Sequence, residues 1–220
     1  MPGTDVAQAS EVFELLKSFS LGRSLADNGN ARHGDAYPMS ERAKALWELI
    51  RTEELPELGS GPRHGVLAFP TLAGRFDAWA ASAGLNPHQA ARLRAIAYLH
   101  HDHTDAAHDL VQDMADPDGA LVHGILHRRE PDFWNAKYWF RQTENHPVYQ
   151  KIAARIQSLS SDPQTRAIVH RLTLPGTLDP HALVDEVERV ERRPVSDPDV
   201  HFLRHVQLAE TECLVEHLLG

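Results

Sequence analysis

His123, His127 and Glu130 stand at positions i, i+4 and i+7. On an α-helix that spacing stacks the three side chains on one face, turn above turn. Two imidazoles and a carboxylate on one stripe make a sensible ligand set for Zn²⁺, Fe²⁺ or Mn²⁺. His127 and Glu130 could equally move a proton in a metal-free reaction. His108, on the preceding predicted helix, can add a ligand if the two helices run antiparallel, and His101 and His103 fall near the mouth of that pair. The chain carries 15 histidines, about three times the ordinary share. A His-x-x-x-His spacing therefore arises readily by chance, and His201 and His205 repeat it on an otherwise apolar stretch. The ordinary alternative is a set of hydrogen-bonded histidines at a helix–helix seam.

Arg128, Arg129, Lys137 and Arg141 gather positive charge around this stripe, with Lys137 and Arg141 sharing a helix face. Such a face could hold a carboxylate or phosphate, Arg through a bidentate contact. Pairing with Glu130, Asp132 and neighbouring acids competes for the same cations. Trp134, Tyr138 and Trp139 add aromatic area, as core packing or as a pocket wall. Asp132 reads as an N-cap, which puts Asn135 in the first turn, where it could orient a ligand.

The expected small-molecule site therefore draws binding groups from Arg128, Arg129, Asn135, Lys137, Tyr138 and Arg141. His127 and Glu130 would transfer protons, and His108, His123, His127 and Glu130 would hold a divalent metal (Zn, Fe or Mn). The sequence leaves open whether the site is catalytic. It contains no glycine-rich phosphate loop, nucleophile elbow or paired Cys ligands.

These residues need helices to position them. Spacings of three and four predict helices over Val6–Phe19, from a cap at Ser40 through Ile50, from Pro70 to a stop at Gly84, and from Pro87 to about His101. Thr104 is expected to cap a helix through Met114. Asp116-Pro117-Asp118-Gly119 reads as a turn, with helices at 120–130 and from Asp132 onward. Further helices are expected over 147–158, 163–173, 180–192 and 198–219. Residues 21–39 and 56–65 read as loops, and Val66-Leu67-Ala68-Phe69 is the single weak strand candidate. The fold class expected is all-α: one multi-helix domain over 1–220 made of antiparallel helix pairs, with an N-terminal helical subregion at 1–85.

The 220 residues are 42% hydrophobic and 24% charged, as in ordinary globular chains. A net charge of −9 disfavours general nucleic-acid binding and docking on anionic membranes. The sequence shows no signal peptide or spanning segment, so a cytoplasmic protein is expected. Cys213, the one cysteine, lies in an apolar pattern and reads as buried and inert. Partners expected are a small anionic molecule or a peptide, with self-association left open.

Ala107 and Ala136 occupy matching places in two helices, followed by Leu110-Val111 and Trp139-Phe140. Small residues there resemble the close-packed second helix of tetratricopeptide repeats, although the offset is shorter than the usual ~34 residues. That resemblance implies a module gripping a peptide or protein, without catalysis, as the alternative to a small-molecule site. The stretch from Ala107 to Tyr149 also resembles a family of bacterial helical proteins. It does so through His108, Gln112, the run His123–Asp132, the run Asn135–Arg141, and His146-Pro147. The family has no assigned reaction, so the resemblance implies shared identity of this polar segment and no activity. Val122 departs from it, standing where relatives are expected to carry an aromatic.

Overall fold

Ser40, Asn86, Asp116, Asp132, Asp162, Asp179 and Asp197 each accept a backbone N–H from the turn that follows, and each starts a helix. In five cases a Pro follows at the first helical position, where the missing N–H costs nothing. The computed structural model describes residues 37–220, all within one compact unit. The readings made for Val6–Phe19 and for most of the 21–39 loop lie outside the described residues.

The helices are α1 (Glu41–Ile50), α2 (Phe69–Ala83), α3 (Pro87–His100), α4 (Thr104–Val111), α5 (Pro117–Arg129), α6 (Phe133–Arg141), α7 (Val148–Leu159), α8 (Pro163–Leu172), α9 (Pro180–Val190) and α10 (Pro198–Leu219). Between α8 and α9, β1 (Thr173–Leu174) pairs antiparallel with β2 (Thr177–Leu178). The described residues are therefore all-α in class, with α3 packed on α4 and α5 packed on α6 as consecutive helix pairs.

The structure departs from the local sequence expectations at three places. The predicted turn at 116–119 is the first turn of α5. Asp116 accepts from the Gly119 N–H at 3.1 Å, so Asp-Pro is a start signal here as it is elsewhere in the chain. Gly119 does not break the helix; a side chain there would run into Met114. Val66–Ala68 is no strand, and Phe69 opens α2. The hairpin lies instead at Thr173-Leu174-Pro175-Gly176-Thr177-Leu178, where Gly176 takes φ +78 in the place a Pro-Gly turn requires.

Two helices form the interior. Every residue of α5 from Gly119 to Arg129 is buried, and α10 buries residues on all sides while packing on α1, α3, α7 and α9. Both carry buried charged and polar residues among their apolar ones, among them Arg128 and Arg129 on α5 and Arg204 and Glu210 on α10. Cys213 is fully buried there, and burial pushes its thiol up to about 12, as an inert core cysteine requires. Ala107 and Ala136 are both fully buried, and Val122 is wholly enclosed by the core. α5 and α6 pack tightly at Gly124, where a Cβ would stand 2.9 Å from the Phe140 ring.

The loop from 51 to 68 is pinned by buried polar groups. Arg204 and Gln207 of α10 donate to the carbonyls of Leu55, Pro56 and Glu57. Arg129 donates to the Gly59 carbonyl and, with Arg63, to the buried Asp102 carboxylate. Leu67 is held on both backbone groups: its N–H reaches His101 Nδ1 at 3.0 Å, and its carbonyl lies 2.8 Å from His103 Nε2. No helix among the described residues is long and apolar enough to cross a membrane.

Candidate metal centre

Packing α4 against α5 brings His108 to the stripe formed by His123 and His127. One ring nitrogen from each of the three lies within 4.8 Å of the others. His108 Nε2 and His123 Nε2 are 3.1 Å apart. The His123 and His127 rings stack at 4.7 Å between centroids and 20° between planes, a contact that the i, i+4 spacing on one helix face allows. His123 and His127 are buried and His108 is half-buried, so the cluster is reached from the α4 side.

The helix α6 closes the far side. Trp139 lies flat on His123, centroids 3.9 Å apart at 20°. The side-chain amide of Asn135 is 3.1 Å from His127 Nε2, and Glu130 Oε2 is 3.2 Å from His127 Nδ1. Burial first, then the neighbouring imidazoles, lower His123 to about 3. His127 is also lowered, by burial against the opposing pull of Glu130. Both rings are then neutral near pH 7 and present lone pairs, the form a metal binds.

Of the expected ligands, three come together and Glu130 does not join them. The helix ends at Arg129, and Glu130 at the C-cap leaves the stripe and turns its carboxylate to His127 Nδ1. Its place is behind His127, outside the group of three imidazoles.

The expected binding cations are engaged elsewhere. Arg128 forms a fully buried bidentate pair with Glu210 of α10. Arg129 is bound by Asp102, Gly59 and Leu99. Neither guanidinium is available to a ligand, because each is buried and bound by protein acceptors. Lys137 pairs with Asp185 of α9. Arg141 lies over the ring of Tyr138 at 5.8 Å, and both are exposed on the outer face of α6 beside Trp134. Only Asn135 among the expected binding residues touches the cluster. His101 and His103 hold the Leu67 backbone, and His201 and His205 face each other on α10.

Beside the cluster, a depression of about 410 Å³ is lined by Ser60, Phe69, Asp102, His103, Thr104, Asp105, Ala106 and Glu130. Glu130 thus connects the depression to His127. No Lys or Arg lines it.

Two features of the folded protein have little or no local signature in the sequence. Trp139 reads in the sequence as aromatic area, and its four-residue offset from Asn135 puts both on one face of α6. A second group, Asp118, His146 and His217, also brings ligand atoms within 4.8 Å of one another. Asp118 was hidden by the turn reading, and His217 lies 99 residues away in sequence with no local pattern to tie them. Comparison with known protein families, curated proteins and solved structures finds no match for the chain.

Proposed function

We propose that the protein is a metal-dependent small-molecule enzyme whose divalent ion is held by His108, His123 and His127. The observation that carries this reading is the convergence of three imidazoles from two helices, with two ring nitrogens 3.1 Å apart. Two ligands each about 2.1 Å from one ion stand roughly 3.0–3.4 Å apart. Three protein nitrogens leave coordination positions open, the pattern of catalytic rather than structural zinc.

A divalent ion there supplies Lewis acidity and charge stabilisation. The protein's own groups do the rest. Glu130 accepts from His127 Nδ1, which fixes the ring and leaves Nε2 as the ligating atom; carboxylate–imidazole pairs orient metal ligands in this way. In the ion-free protein the Asn135 amide donates to that nitrogen, so it would turn aside for an ion to bind there and could then orient a bound molecule. Trp139 covers the back of His123 and excludes water from that side. Asp105 and Glu130 on the adjoining depression, which no Lys or Arg lines, favour a substrate that offers hydroxyl or amine groups on that side over the purely anionic one expected from sequence.

Elemental analysis of tag-free protein, as isolated and after reconstitution with Zn²⁺, Mn²⁺ or anaerobic Fe²⁺, tests the reading. His108→Ala removes the half-buried ligand and is the variant to compare. One metal equivalent fewer in the variant than in the wild type is the expected result. Equal metal content in the two, or none in either after reconstitution, would overturn it and leave a hydrogen-bonded histidine cluster.

A further inference from the structure

We propose that Asp118, His146 and His217 form a second divalent-cation site, separate from the first, which fastens the C-terminal end of α10 to the start of α5. Asp118 Oδ1 is 2.9 Å from His146 Nε2 and 3.2 Å from His217 Nε2. The two imidazole rings meet edge to face at 5.0 Å. Two histidines and one carboxylate are a complete facial ligand set for Zn²⁺ or Fe²⁺, and the spacings fit ligands around one ion.

Three separate parts of the chain supply the ligands. Asp118 stands in the first turn of α5, His146 just before α7, and His217 in the last turn of α10. No local sequence pattern demands this meeting. The His146 side chain is 2% exposed, whereas Asp118 and His217 are 28% and 22% exposed. An ion would therefore rest on a rigid inner ligand and be reached from solvent past the outer two. Asp118 lies five residues before His123 on the same helix, about 7.5 Å along its axis, and nine before His127. The two groups are too far apart to share ions as one dinuclear centre.

His146 Nδ1 also lies 3.3 Å from the Val148 backbone N–H, which keeps the ring proton on Nε2 in the ion-free protein. Binding at Nε2 moves that proton to Nδ1 and gives up the Val148 contact. This tautomer exchange is a signature that a plain hydrogen-bonded clasp does not produce.

The test is Zn²⁺ stoichiometry and thermal midpoint on the full chain, stripped with chelator and reloaded. Wild type is expected to bind two equivalents. Asp118→Asn keeps an acceptor oxygen of the same shape, and His217→Ala trims a partly exposed ring; each is expected to lose one equivalent. His108→Ala is expected to lose the other, while keeping the second site's rise in thermal midpoint on Zn²⁺ addition. Histidine ¹⁵N shifts should show His146 passing from the Nε2–H to the Nδ1–H form on loading. Stoichiometry unchanged by both Asp118→Asn and His217→Ala, or a wild type that binds no Zn²⁺, would overturn the proposal. A single equivalent lost with His217→Ala but kept by His108→Ala would support this site and overturn the first.

Discussion

Trp139 covers the face of His123 at stacking distance, with the two ring planes only 20° from parallel. The indole is therefore a reporter placed directly against a proposed ligand. Loading with Co²⁺, a paramagnetic quencher, should sharply reduce Trp139 fluorescence. Trp139→Phe should abolish most of that quenching while leaving metal stoichiometry intact. Quenching of equal depth in the variant would mean that the ion sits elsewhere.

Gly124 gives a prediction whose sign is informative. Within a helix, Gly→Ala ordinarily stabilises by about 1 kcal/mol. Here the new Cβ would meet the Phe140 ring at 2.9 Å, and such overpacking costs typically 1–3 kcal/mol. Gly124→Ala should destabilise in urea denaturation, and Phe140→Leu introduced beside it should recover part of the loss. Stabilisation by Gly124→Ala alone would show that the helices separate easily.

The Arg128–Glu210 pair is fully buried between α5 and α10. Removing one partner leaves an uncompensated charge in the interior, a loss of about 3–5 kcal/mol. Glu210→Ala should therefore lower stability severely. Arg128→Met combined with Glu210→Leu should restore much of it, because a well-packed apolar pair has no charge to desolvate. Denaturant midpoints of the three variants measure both effects.

Acid should weaken the fold through His100 and His101. Burial, then Arg63, lowers His101 from 6.5 to about 4, and His100 is lowered well below 6.5 for the same reasons. Below pH 6.5 the unfolded chain takes up protons that the folded chain refuses, so stability falls as pH drops toward the folded value. For His101 the change from pH 7 to pH 5 is about 2 kcal/mol. His101→Asn keeps an acceptor for the Leu67 N–H and cannot take up the proton. Its stability should decline less between those pH values, as measured by urea unfolding at each.

The helical class was legible because apolar periodicity and cap-then-Pro signals are local properties. Asn86-Pro87, Asp179-Pro180 and the apolar run of α10 announce themselves within a few residues. Asp116-Pro117 carried the same signal and was outweighed by Gly119, whose lack of a side chain serves packing against Met114. In the candidate site, the His123–His127 stripe and its link to His108 could be read from helix geometry. Which charges would be available could not be read. Arg128 and Arg129 adjoin the stripe in sequence, but their partners Glu210 and Asp102 come from α10 and from the turn after α3. A cation's neighbours in the chain do not reveal which distant acid will neutralise it. The meeting of Asp118, His146 and His217 depends on the same long-range packing.

The complete burial of α5 from Gly119 to Arg129 would also govern how the proposed centre behaves in time. Amide hydrogens of a helix enclosed on every side exchange with solvent only when the whole domain opens. His123 and His127 ride on that slowest-exchanging backbone, whereas His108 rides on a short helix nearer the surface. Two of the three imidazoles thus keep their positions as long as the protein is folded. Release of a bound ion would begin with fraying at α4, making the lifetime of the centre a property of that one helix.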